Sequence, residues 1–245
     1  MHPASHAPQP RPVPSLALLF DLDGTLVDSI DLILTSFRHA FAEVVGRVPP
    51  DEAWIAGIGT PLAIQMRELA GDESLVAPLV DSYRAFQRAH HDRLLREYEG
   101  VRETLETLRA RGHPMAVVTS KAAEMTQRAL RRAGLASLID VVIDCDMCAR
   151  HKPDPLPVLL ALERLAHAPG DALFVGDSPH DIAAGNSAGV RTVAALWGPF
   201  SRAVLEAAHP RFVLEDIREL PALVEALQLP PPEPRHSNLP PHSAI

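Results

Sequence analysis

The chain alternates short, largely apolar β-like runs with longer stretches in which apolar residues recur every three or four positions. The runs are Leu16–Phe20, Met115–Thr119, Val141–Ile143, Ala172–Val175, Arg191–Leu196 and Phe212–Leu214. A strand that is apolar on both faces must be covered on both faces, so each run reads as a buried strand. Helical periodicity follows or separates them near 102–111, 122–133, 156–167, 180–188, 201–208 and 216–227. This alternation predicts an α/β fold: a three-layer, Rossmann-like core with a mostly parallel sheet.

One interval breaks the rhythm. Residues 28–99 hold no convincing strand and read as helices at about 29–45, 52–56, 62–70 and 74–97. Gly57, Gly59 and Pro61 punctuate it and predict a loop between helices, and Gly100 marks the return to the strand–helix pattern. The expected organisation is a core of residues 15–27 and 100–228, with a helical cap of residues 28–99 inserted after the first strand. Five of the 24 prolines fall in residues 1–14 and six in 229–245, so both ends are expected to be disordered tails.

Composition narrows the function. A chain of 245 residues with 47% apolar residues can bury a substantial core. The formal charge is −8 and there is no basic tract, which argues against nucleic acid or an anionic membrane as partner. No segment approaches the ~20 apolar residues of a membrane span. No charged stretch precedes an apolar one at the N-terminus, so no signal peptide is expected. Cys145 and Cys148 form no disulfide framework, and a cytoplasmic location is the default.

Candidate chemistry lies at four places. Asp21 and Asp23 follow the first apolar run directly, in Asp21-Leu22-Asp23-Gly24-Thr25. Carboxylates at the edge of an apolar core need a binder, and a divalent cation is a natural one. Val117-Val118-Thr119-Ser120-Lys121 ends a second run in hydroxyls. These would cap the following helix or hold a phosphate oxygen. In His151-Lys152-Pro153-Asp154-Pro155, two prolines stiffen the chain around a lysine suited to balancing anionic charge. Phe174-Val175-Gly176-Asp177-Ser178-Pro179-His180-Asp181 again places acids after an apolar run. Asp181 also fits a first helical turn, whereas Asp177 asks for a cation.

Together Asp21, Asp23, Thr119, Lys152, Asp177 and Asp181 resemble the haloacid dehalogenase superfamily. Its motifs run in the order Asp-x-Asp-Gly-Thr, Thr or Ser, Lys, and an acid pair. The resemblance spans roughly residues 15–227, and the long helical interval matches the family's alpha-helical cap. It is nearest to the branch holding phosphoglycolate phosphatases, related pyrophosphatases and β-phosphoglucomutases. The resemblance implies a phosphatase using Mg²⁺ and an aspartyl-phosphate, acting on a small phosphorylated metabolite as a monomer or homodimer. Asp21 is the implied nucleophile, Asp23 the acid and base, and Lys152 the balancing cation. Asp21, Asp177, Asp181 and the Asp23 backbone carbonyl are the implied metal site. Thr119, Ser120 and Lys152 are the implied phosphate holders.

Substrate contact is expected from the loop Gly57-Ile58-Gly59-Thr60-Pro61, with Gly59 and Thr60 foremost, and from Gln65 and Arg67. A phosphosugar mutase would use the same core residues, and a non-catalytic phosphate-binding module is a remoter reading. An aspartate at position 23 suits a leaving group that needs a proton, which a halide does not. Cys145-Asp146-Met147-Cys148 with His151 offers a zinc or redox alternative. Glu99 stands where relatives often carry proline, and Gly185 is expected to loosen its helix.

Overall fold

The computed structural model describes residues 15–228, and the tails expected to be disordered lie outside the described residues. Six parallel strands form the sheet: β1 (Ala17–Phe20), β4 (Met115–Val118), β5 (Val141–Ile143), β6 (Ala172–Gly176), β7 (Arg191–Ala195) and β8 (Phe212–Leu214). Their order is β5-β4-β1-β6-β7-β8. Successive residues of β1 point to opposite faces. Leu18 and Phe20 enter one apolar cluster, with Leu105 of α5 (Val101–Ala110), Leu130 of α6 (Ala123–Arg132) and Val224 of α10 (Leu220–Gln228). Ala17 and Leu19 enter the other, with Val158 of α7 (Leu156–Leu165) and Ala184 of α8 (Pro179–Ser187). A short helix, α9 (Arg202–Glu206), precedes β8. The six runs are therefore strands of a three-layer α/β fold, the inner four buried and the edge strands β5 and β8 only half-buried over most of their length.

The chain leaves β1, fills the sheet toward β5, then crosses back to start β6 on the other side of β1. Strand order reverses at β1, and the carboxyl ends of strands beside such a reversal open a crevice. Asp21, Thr119 and Asp177 all stand at these ends.

Residues 29–95 are helical: α1 (Ile30–Val44), α2 (Asp51–Ile55), α3 (Leu62–Ala70) and α4 (Val76–Leu94). They enclose an apolar cluster of their own, with Phe37, Phe41, Trp54, Met66, Leu79 and Tyr83. The Phe37 and Trp54 rings stack with centroids 4.4 Å apart.

The expectation of no strand in 28–99 requires correction. Val27 and Asp28 (β2) pair antiparallel with Glu97 and Arg96 (β3), tying the entry and exit of the helical segment together. The helix expected to run to residue 97 ends at Leu94. A two-residue ribbon whose second strand is exposed carries no hydrophobic period, so the pattern misses it. Gly185 also departs from expectation. It sits in an unbroken α8, and a Cβ there would run into the side chain of Thr192 and press on Phe174. Its missing side chain lets α8 lie close on β6 and β7.

Candidate active site

Asp21 follows β1 and is buried, as are Asp177 and Asp181. One carboxylate oxygen from each of the three lies within 4.8 Å of the others. Lys152 enters from the loop before α7 and is itself buried. Its Nζ donates to Asp181 Oδ1 at 2.6 Å, Asp21 Oδ1 at 2.8 Å and the Val118 carbonyl at 3.2 Å. Two of the three carboxylates thus share one ammonium.

The electrostatics follow. Burial pushes Asp21 up to about 7, and Asp181 and Asp23 add to this while Lys152 opposes it. Burial also carries Asp177 well above the carboxylate range, with Asp21 and Asp181 adding to it. For Lys152 burial acts to lower the pKa, but Asp181 and Asp21 outweigh it and hold the ammonium firmly charged. Asp177 Oδ1 accepts the Thr25 hydroxyl at 2.5 Å, while its Oδ2 is buried without a partner. A buried unpartnered carboxylate oxygen is costly to maintain.

Local sequence sets these positions. Gly24 has φ +90°, and a Cβ there would collide with the Asp177 carboxyl group, so glycine lets the two strand ends meet. At α8, Ser178 caps the helix: the Asp181 N–H donates to its hydroxyl, and Asp181 Oδ2 accepts from the Ser178 N–H and Oγ–H. Asp181 is both capping residue and partner of Lys152.

Asp23 stands apart. Its carboxylate accepts from Ser29 Oγ at 2.6 Å and from Lys121 Nζ at 2.8 and 2.9 Å, and it does not join the trio. The sequence reading gave Lys121 no role, although it directly follows the Thr119-Ser120 pair; the charge at the end of that run was the available signal.

A pocket of about 510 Å³ opens over Asp21 and Asp23, with Thr119, Ser120, Gly59 and Thr60 also in its wall. Three expected contacts need restating. Arg67 is absent from this wall and pairs with Glu73 on the surface at 2.6 Å. The Ser120 hydroxyl is committed to the Gly59 carbonyl at 2.6 Å, leaving its backbone for a ligand. Gln65 is buried and donates to the Gly57 and Thr60 carbonyls, so it shapes the loop. Gly59 has φ +102°, and its Cα lies so close to Ser178 and His180 that a Cβ would crowd both. The loop therefore rests on the sheet's carboxyl end.

The cysteine alternative finds no support. Burial pushes the Cys145 thiol up to about 12 and raises Cys148, the wrong direction for a reactive thiolate. Among the described residues, the aspartate trio is the one metal-competent cluster.

A strand-end carboxylate trio with one buried ammonium, on a parallel sheet with a helical segment above it, defines a hydrolase class. The chain belongs to the haloacid dehalogenase-like hydrolase family, which it matches over residues 18–195. Among its relatives is the pyrophosphatase PpaX of Bacillus cereus (strain AH820), 39% identical over 203 residues, covering 83% of this chain and 93% of that protein. The fold is shared with a predicted phosphoglycolate phosphatase from Haemophilus somnus 129Pt (TM-score 0.78, 26% identity, 85% of this chain and 97% of that one). It is shared also with a HAD-superfamily hydrolase, subfamily IA, variant 1, from Geobacter sulfurreducens PCA (TM-score 0.64, 26% identity, 86% and 96%).

Proposed function

We propose that this chain is a Mg²⁺-dependent phosphatase that hydrolyses a small phosphorylated metabolite, a phosphoglycolate-like phosphomonoester or pyrophosphate, through an aspartyl-phosphate on Asp21. The orphaned Oδ2 of Asp177, inside a buried trio of carboxylates with a single ammonium, carries this reading. Such a site has more carboxylates than positive charge and offers hard oxygen donors, which suits a divalent oxygen-seeking cation. Asp21, Asp177 and the Asp23 carbonyl would hold it; Asp181, already engaged by Lys152 and Ser178, would act one shell out. When bound, the cation relieves the repulsion between a carboxylate and a phosphate dianion and polarises the phosphoryl oxygens.

The chain's own residues account for the rest. Asp21 attacks phosphorus, the ester P–O bond breaks, and the Asp23 carboxyl protonates the departing oxygen. Asp23 then takes a proton from the water that attacks the phosphoryl group, releasing phosphate and free Asp21. Lys152 fixes the Asp21 carboxylate and offsets charge developing on the phosphoryl oxygens. Thr119 and the Ser120 backbone N–H hold those oxygens. Helices α1–α4 act as a cap, and the loop at Gly59 limits water. Separating Asp23 from the trio suits two unequal carboxylates, one nucleophilic and one moving protons.

No helix among the described residues is long and apolar enough to cross a membrane, and the net charge of −8 disfavours nucleic acid. We place the enzyme in the cytoplasm, as a monomer or homodimer acting on a free metabolite. The test is a phosphate-release screen over 2-phosphoglycolate, pyrophosphate, sugar phosphates and nucleotides with Mg²⁺. Turnover that EDTA abolishes and Mg²⁺ restores is expected. Release from no substrate overturns the reading, and conversion of β-glucose 1-phosphate to glucose 6-phosphate replaces it with a mutase.

A further inference from the structure

The pocket's helical wall carries chemistry that the phosphoryl-transfer residues do not use. At about 510 Å³ it is far roomier than one phosphoryl group requires, and pockets of this size hold substantial organic ligands. Ile33, Trp54, Ile58, Leu62 and Tyr83 give that wall an apolar body. Three cationic side chains reach the pocket: Lys121, Arg88 and Arg84. Lys121 is held by Asp23 at 2.8 Å and Arg88 by Glu124 at 3.0 Å. The exposed Arg84 side chain makes no ion pair or hydrogen bond with another described residue. Besides Asp21 and Asp23, two acids line the pocket, but Glu124 is engaged by Arg88, and Asp146 accepts the Ala123 N–H at 3.0 Å.

Arg84 is placed by its helix. It lies on α4 three residues before Gln87 and four before Arg88, so the three share one face and all line the pocket. Gln87 is buried and donates to the Tyr83 hydroxyl at 3.2 Å, which secures this part of the helix. An arginine presented by a fixed helix is well suited to bidentate capture of a carboxylate or phosphate.

Resting on the phosphatase reading above, we propose that Arg84 is a specificity-determining residue. It binds a second anionic group on the leaving group, so the substrate is a phosphate compound with two separate anionic ends. The shared chemistry is a planar or tetrahedral oxyanion, and the two sources are a carboxylate, as in 2-phosphoglycolate, and a second phosphate, as in pyrophosphate.

Steady-state kinetics of wild type, Arg84→Gln and Arg84→Lys on 2-phosphoglycolate, pyrophosphate and p-nitrophenyl phosphate test this. Arg84→Gln is expected to raise KM for at least one doubly anionic substrate about 10- to 100-fold, the loss of a hydrogen-bonded charge contact. Its kinetics on p-nitrophenyl phosphate should change less than about twofold, within the range of a harmless surface change. Arg84→Lys should recover part of the KM. The substrate that suffers identifies the anion. Equal loss on all three substrates, or loss on none, overturns the proposal. Calorimetric binding of the two anionic compounds to Asp21→Asn protein, with and without Arg84→Gln, reads the same contact without turnover. Wild-type activity on p-nitrophenyl phosphate separately decides the phosphatase reading.

Discussion

The two walls of the pocket are built on opposite plans. On the sheet side the polar groups are buried and interlocked: Lys152 spans Asp21 and Asp181, Thr25 holds Asp177, and Ser178 holds Asp181. On the helical side Arg84 and Arg88 are exposed, and the loop at Gly59 is fastened through a single hydroxyl from Ser120. Burial strengthens each electrostatic contact on the first wall and makes any unpaired group there expensive. Solvent weakens the contacts of the second, which leaves it free to vary with the ligand. Invariant chemistry suits the first wall, and selection among leaving groups suits the second.

The sharpest way to break this contrast is Asp21→Asn. It should lower kcat on p-nitrophenyl phosphate by about 10⁴-fold or more, the scale of losing a nucleophile, with circular dichroism unchanged. Near-normal turnover would remove Asp21 from the chemistry. Next is Lys152→Met, which strips the ammonium from two buried carboxylates. Urea unfolding should show a loss of about 3–5 kcal/mol, the cost of breaking a buried pair from one side. A loss under about 1 kcal/mol would mean the pair behaves as a surface one.

Gly59→Ala tests the seam between the walls. A Cβ at φ +102° would crowd Ser178 and His180 and push the loop off the sheet. We expect kcat/KM to fall roughly 10- to 100-fold, as for a small misplacement near the chemistry, with the melting temperature little changed. Unaltered kinetics would show that the loop's seat does not matter.

The mildest test concerns pH. In the folded protein Asp21 titrates near 7 and Asp177 is also raised, so the site keeps protons that an unfolded chain releases near pH 4. The stability these groups contribute is full below about pH 4 and is lost as pH climbs through about 7. A cation held by these carboxylates would replace those protons. The rise in melting temperature on adding Mg²⁺ to EDTA-treated protein should therefore be larger at pH 7.5 than at pH 5. An equal rise at both would disconnect the cation from the trio.

Reading the chain forward recovered most of the sheet side. Apolar runs located the six strands, and Asp21, Thr119 and Asp177 were visible because polar residues ending such runs are conspicuous. It recovered little of the helical side. The sequence reading names Arg67 and passes over Arg84, since both are arginines on amphipathic helices and only the helix orientation separates them. Arg67 turns outward to Glu73, while Arg84 reaches the pocket.

The sequence by itself determined the strand–helix alternation, the helical interval and the motif residues, because each is written in local periodicity or in polar residues adjoining apolar runs. Only the tertiary structure decided which groups meet. Lys152 lies 131 residues from Asp21, and Thr25 lies 152 from Asp177. Their contacts depend on parallel strands placed side by side in an order different from that of the chain. The same holds for Lys121 beside Asp23 and for Gly59 on Ser120. No local pattern encodes distances set by how the sheet is assembled and how the helices sit above it.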